Sequence, residues 1–98
     1  MPGLDFTWDE VKARANVRKH GVSFVEAQSV FFDEHARLLD DPDHSEDEAR
    51  FILLGLSDAL RVLVVVHAYR EAQGRIRIIS ARKATARERA GYERGTRS

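Results

Sequence analysis

From Trp8 to His20, apolar residues recur at helical spacing: Trp8, Val11 and Ala15 form one stripe, and Lys12, Asn16 and Lys19 take the opposite, polar side. Gly21 follows, a residue suited to the left-handed conformation that ends a helix. A second stretch, from Phe24 to Phe32, puts Phe24, Ala27, Val30 and Phe31 on one side, so the two segments joined by His20-Gly21-Val22-Ser23 predict a helical hairpin. A third helix is predicted after Thr85, ending near Gly95. Each start carries a threonine or serine with a glutamate three residues on (Thr7 and Glu10, Ser23 and Glu26, Thr85 and Glu88), a spacing at which the two side chains satisfy each other's unpaired amides.

Between the second and third helices the period shortens to that of strands, and β-branched residues accumulate. A short strand is predicted at Arg37 to Asp40, a turn at Asp41-Pro42-Asp43-His44-Ser45, and strands at Arg50 to Ser57, Arg61 to Tyr69 and Arg75 to Ala81. The links Asp58 to Leu60 and Glu71 to Gly74 are too short for a crossover, so neighbouring strands must run antiparallel. The expected fold is α+β: two N-terminal helices packed on an antiparallel meander, with a C-terminal helix. Val62 to Val66 is apolar without alternation, which places that strand at the centre of the sheet. In the last strand, alternation sends Ile76, Ile78 and Ser80 one way and Arg75 and Arg77 the other. His67 shares a side with Leu63, Val65 and Tyr69, and Arg50 with Ile52 and Leu54; a register that brings Arg50, His67 and Arg77 onto one surface is the expectation carried to the fold.

A chain of 98 residues, 43% hydrophobic, supplies a single core and hence one domain. Without cysteine it has neither disulfides nor thiolate metal sites, which suits a reducing compartment. The start lacks a basic and apolar leader, and no apolar run is long enough to span a bilayer, so the cytoplasm is expected, with no membrane partner. Charge alters the picture further. Asp33 to Glu48 holds eight acids against Arg37 alone, a balance of minus seven; Arg75 to Ser98 holds eight bases against Glu88 and Glu93, a balance of plus six. A polyanion is the natural partner of that basic third, and a solvated helix face is the plainer reading of the same residues.

Cleaving RNA without a metal requires a base for the 2′-hydroxyl, cations for the charge gathering on phosphorus, and an acid for the leaving oxygen. Arginine's planar fork suits the cationic task, and Arg77 and Arg82, then Arg50, are the leading candidates, each against the alternative of an ordinary ion pair. For proton transfer the candidates are His20, which could equally serve the first helix's dipole, and His67, which could equally be a hydrogen-bonded core residue. His35 and His44 stand among acids and read as solvated. Asp40-Asp41-Pro42-Asp43 offers carboxylates in a turn, but at no spacing that defines a metal site, so neither metal nor cofactor is expected. Phosphate-cradling glycine loops and nucleophile elbows are missing.

Phe6 to Asp9, Asn16 to Phe24, Asp41 to Glu46, Val64 to His67 and above all Arg75-Ile-Arg-Ile-Ile-Ser-Ala-Arg-Lys-Ala-Thr85 occur in an order and at spacings that resemble the BrnT family, from about Phe6 to Glu93. The resemblance implies a RelE-like fold and a type II toxin: an endoribonuclease that halts translation. The resemblance also implies neutralisation by a BrnA-like antitoxin, through which alone the toxin would meet operator DNA. The matching polar positions are Lys12, Asn16, Lys19, His20, Arg50, His67, Arg77, Arg82, Lys83 and Glu88. Lys12, Lys19 and Lys83, with Arg87 of the basic third, are the expected RNA contacts. Ala68-Tyr69 stands where the family pattern leads one to expect a threonine and an acid, and the hairpin at Glu71 to Gly74 is slightly long. The alternatives are a non-catalytic module that docks nucleic acid or an acidic protein through Arg75 to Arg97, and a basic third that chiefly engages the antitoxin.

Overall fold

The computed structural model describes residues 5–42, 49–70 and 73–96. Its framework is a sheet of β1 (Asp5–Thr7), β2 (Arg37–Asp40), β3 (Arg50–Leu56), β4 (Val62–Arg70) and β5 (Arg75–Lys83), in the spatial order β1-β5-β4-β3-β2. The expected meander is present from β2 to β5, each strand antiparallel to the next, with the unalternating strand β4 at its centre. β1 was not foreseen: three residues are too few to show a period, and they pair parallel with β5. Asp43 to Ser45 of the expected turn, and Glu71 and Ala72 of the long hairpin, lie outside the described residues.

Helices α1 (Glu10–His20) and α2 (Phe24–Ser29), the latter continued by a 3-10 turn at Val30–Phe32, cover one face of the sheet. Val22, Phe24, Ala27 and Val30 there meet Leu53, Leu63, Val65, Ile78 and Ala81. On the opposite face α3 (Ala86–Thr96) lays Tyr92 on Leu54 and Val64, beside Ile52, Leu56 and Val62. Gly21 does take a left-handed conformation (φ 69°) and closes α1 through its amide on Val17.

Two details of α1 differ from the sequence reading. Its N-cap is Asp9, whose carboxylate accepts from the Val11 and Lys12 amides at 2.8 and 3.2 Å, because Thr7 is taken up in β1. Its buried side is not the apolar stripe: Val11 is 64% exposed, and Asn16 is buried. Asn16 Nδ2 donates to the carbonyls of Val22 (2.9 Å) and Ala81 (2.8 Å), and its Oδ1 accepts from the Ala81 amide (3.2 Å). β1 covers the outer edge of β5 only as far as Arg77, and beyond it the Asn16 amide serves β5 as a strand's peptide group would.

Of the three expected capping boxes, only the last is reciprocal. Thr85 Oγ1 accepts from the Glu88 amide at 3.1 Å, and Glu88 Oε1 from the Thr85 amide at 2.8 Å. Ser23 caps α2 through the Glu26 amide (3.0 Å), but the Glu26 carboxylate turns away to Arg61 and to Ser57 Oγ (2.7 Å), tying α2 to the β3–β4 turn. That network holds Glu26 below its ordinary carboxylate value, chiefly through the Arg61 hydrogen bond and against burial.

Along β5 the alternation is interrupted. Val66 pairs with Ser80 but His67 with Ile78, so Ile79 is an extra residue, a β-bulge. Ser80 therefore does not follow Ile76 and Ile78. It stands opposite Val66, and Arg82 opposite Val64, on the α3 face.

Candidate functional site

Residues directly opposite one another on paired strands point to the same face. Arg77 lies opposite Thr7 on one side and Ala68 on the other, and Ala68 lies opposite Arg50, so Thr7, Arg77, Ala68 and Arg50 form one row across four strands on the α3 face. Two strand spacings of about 4.8 Å separate the arginine backbones, and a single methyl group stands between them. At one end of the row, Thr7, Ala68, Arg70, Gln73, Arg75 and Arg77 line a hollow of about 310 Å³. At the other, Asp40, Asp41, Pro42, Ala49, Arg50 and Phe51 line one of about 350 Å³. α3 covers the far part of this face, over Leu54 and Val64, and Ala68 in this row is itself buried. Guanidinium groups from two strands around a small floor can take a phosphate from both sides, each by parallel N–H donors.

Arg82 shares the face but not the row. It lies opposite Val64, four positions along β4 from Ala68, which at about 3.3 Å per residue is roughly 13 Å away. An unbroken strand would have put residues 77 and 82, an odd number apart, on opposite faces, and the bulge at Ile79 restores them to one. The Arg82 fork is closed on Glu88, with Nη1 to Oε1 at 2.8 Å and Nη2 to Oε2 at 3.0 Å. This hydrogen-bonded pairing raises Arg82 and holds the Glu88 carboxyl down at about 2, against the effect of burial.

The expected convergence of His67 with Arg50 and Arg77 is not found. His67 is opposite Phe51 and Ile78, one position out of phase with the arginine row, and so on the hairpin face. It is 3% exposed, and Phe31 meets it edge-on with ring centroids 4.8 Å apart. Burial pushes its pKa down despite a hydrogen bond from Nδ1 to the Val65 carbonyl (3.4 Å). His20 closes α1 half-buried, next to Gly21, whose carbonyl accepts from Arg61 at the β3–β4 end, away from the row. Lys12, Lys19, Lys83 and Arg87 are all exposed. Asp41 is buried, Asp40 exposed, and Asp43 lies outside the described residues; among those described, no group of three or more histidine and carboxylate side chains is placed to hold a metal ion.

Arg70 was missed as a site residue, and Arg75 was read only as part of the basic third. They face each other where β4 and β5 meet their hairpin, and both line the hollow beside Arg77. The signal was legible, since the first and last residues flanking a hairpin link must pair. Among the described residues, no helix is long and apolar enough to cross a membrane.

A solved structure, that of the Brucella abortus ribonuclease toxin BrnT, superposes on this fold with a TM-score of 0.64 at 22% sequence identity, covering 85% of this chain and 99% of that one. No curated protein matches by sequence. The family described as the ribonuclease toxin BrnT of type II toxin-antitoxin systems matches residues 8–88, which take in both helices of the hairpin, β2 to β5, the arginine row from Arg50 to Arg77 and the Arg82–Glu88 pair. With most of its length matched in this way, the chain belongs to the BrnT family of ribonuclease toxins.

Proposed function

We propose that the protein is an endoribonuclease that cleaves RNA without a metal ion, using Arg50 and Arg77 to hold the scissile phosphate. The observation that carries this reading is the row in which the small residue Ala68 separates the two arginines, apart from Leu54 and Val64 where α3 packs. In the proposed step the 2′-hydroxyl loses its proton and attacks phosphorus, and the bond to the 5′-oxygen breaks as that oxygen gains a proton. The products are a 2′,3′-cyclic phosphate and a 5′-hydroxyl end. Negative charge rises on the non-bridging oxygens as the phosphorane forms, and the two guanidinium groups stabilise it more in the transition state than in the bound substrate. Arg70 and Arg75 extend the cationic track to the neighbouring phosphate. Arg82, engaged with Glu88, acts on the reaction through the seating of α3 and not by touching the phosphate. Neither His67 nor His20 lies beside the row, so water takes and returns the protons and the acceleration is chiefly electrostatic.

Cleavage of RNA would halt translation, and a BrnA-like antitoxin would neutralise the toxin by tight association. The test is incubation of the purified protein with a defined RNA in EDTA, followed by end analysis. Cyclic phosphate ends are expected, with cleavage falling about a hundredfold or more in Arg77→Ala, the usual cost of one transition-state donor. The Arg77 variant should melt within a few degrees of the parent protein. Activity lost to EDTA and restored by magnesium would overturn the metal-free mechanism, and binding without new RNA ends would leave a non-catalytic module.

A further inference from the structure

On the hairpin face, directly behind the arginine hollow, lies a second hollow of about 410 Å³, whose lining includes Phe31, Asp33, Phe51, His67, Tyr69 and Ile76. The two share the same two strand segments. Ala68 and Arg70 face the arginine side while Tyr69 between them faces this one, and Arg75 and Arg77 flank Ile76 in the same way. The lining brings a histidine into a face that is otherwise packed with aliphatic and aromatic side chains. Here two aromatic rings meet His67, Phe31 edge-on and Phe51 tilted at 6.0 Å, and Tyr69, 37% exposed at the strand's end, lines the same hollow.

His67 is unusual in such a place. A carbonyl can only accept, so the contact with Val65 fixes the proton on Nδ1 and leaves Nε2 a lone pair. Among the described residues, that is the one hydrogen bond the His67 imidazole makes. Asp33 is otherwise engaged: its carboxylate accepts from the amides of Leu56 (2.8 Å) and His35 (3.0 Å) and from the Tyr92 hydroxyl (2.6 Å). The hollow is therefore lined by aromatic side chains and by His67, 3% exposed at its wall, with Arg70 and Arg75 at the same end of the sheet.

We infer that this hollow is a nucleobase subsite, which takes a base from the RNA strand whose phosphates lie on Arg70, Arg75 and Arg77, stacks it on the aromatic rings, and reads an N–H on its edge through His67. The occupant's chemistry follows from the lining. A base offers π-faces to aromatic side chains whatever its sequence, and each base carries an N–H donor on its pairing edge. The hollow is wide enough for a purine, and a lysine or arginine side chain would find no anion among its walls except a carboxylate already hydrogen-bonded three times. This inference deepens the proposed ribonuclease reading and rests on it for the strand's path, but not for the binding of a base.

The test therefore has a part that needs no cleavage. The imidazole resonances of the wild-type protein are followed by NMR during titration with GMP, AMP, CMP and UMP, and the purines are expected to shift His67 more than the pyrimidines. If no nucleotide moves His67, the inference is overturned even where RNA is cut. Arg77→Ala should still show the shift, which separates the subsite from the chemistry. In the second part, cut sites are mapped on a mixed-sequence RNA for the wild type, His67→Asn and the rim variant Tyr69→Ala. The preference at one base position near the cut should relax about tenfold in both, the size of one net hydrogen bond or stacking contact. Equal loss at every site in a folded His67→Asn would make His67 catalytic, and a His67 shift produced only by antitoxin would make the hollow a protein-docking site. Either result would overturn the inference.

Discussion

Asn16 joins two elements that share no backbone hydrogen bonds. Its amide holds both polar groups of Ala81 and the carbonyl of Val22, so Asn16→Ala would leave three buried backbone groups unpaired. At about 1 to 3 kcal/mol for each stranded group, softened by any water that enters, a loss of roughly 2 to 4 kcal/mol is expected in urea unfolding, with Asn16→Leu no better despite its volume. Gly55 is limited by space instead. A Cβ there would stand 2.8 Å from Val30 Cγ1 and 3.0 Å from both Ala36 Cβ and Asp33 Oδ2. Gly55→Ala should therefore cost about 1 to 3 kcal/mol by the same measurement, although alanine suits a strand better than glycine does. Neither effect can be read from the residue type, because asparagine on a helix and glycine in a strand usually face solvent or mark a bulge.

At the scale of elements, α3 adds titratable contacts to the apolar packing of Tyr92. Tyr92 donates to Asp33 across the edge of β3 that β2 leaves uncovered, and Glu88 grips Arg82. Glu88 is held at about 2 from an ordinary value of 4.5, so its contribution is complete above about pH 4.5 and is lost as pH falls towards 2. Asp33 shifts the same way: burial opposes the shift, but the hydrogen bonds from Leu56, Tyr92 and His35 outweigh it. Tyr92 is pushed up from 10 to about 12 by burial and by Asp33, so its contribution is complete below pH 10 and is lost as pH rises from there to about 12. The expected outcome is that α3 detaches at both extremes before the sheet opens. Hydrogen exchange should show its amides losing protection near pH 3 while those of β4 keep theirs, and Glu88→Gln should make the acid transition shallower. Simultaneous loss of both would show that α3 and the sheet form one cooperative unit.

The elements also mark where sequence reasoning worked. α1, α2 and the four strands of the meander were legible because each repeats its period over enough residues, and Ser23, Gly21 and Thr85 signal their ends through local chemistry. The apolar stripe of α1 misled because Val11 and Ala15 are only weakly committed to burial, and a polar residue with three partners displaced them. β1 escaped because its pairing lies with residues 70 positions away, and no local pattern encodes a contact of that kind.

For the molecule as a whole, zero formal charge conceals an acidic middle stretch, Asp33 to Glu48, and a basic C-terminal third, and the fold gathers Arg70, Arg75 and Arg77 around one hollow. If four phosphates are contacted, affinity for single-stranded RNA should fall roughly fifty-fold between 50 and 200 mM salt, at a slope of about 0.7 per phosphate. Fluorescence anisotropy at several salt concentrations measures that slope, and Arg77→Ala should reduce it by about one contact. A slope near zero would mean that the basic hollow does not meet RNA.

The sequence by itself determined the α+β class, where its helices and meander strands lie, which strand is central and which third of the chain is basic. These follow from period, capping and composition, all of them local. Which side chains share a surface was decided only in three dimensions. A single extra residue at Ile79 inverts every position after it and brings Arg82 onto the face of Arg77, and register sets Arg50 beside Arg77 while sending His67 through to the other side. Strand alternation has a period of two, so a shift of one residue, invisible in composition and barely so in pattern, exchanges the faces and with them the site.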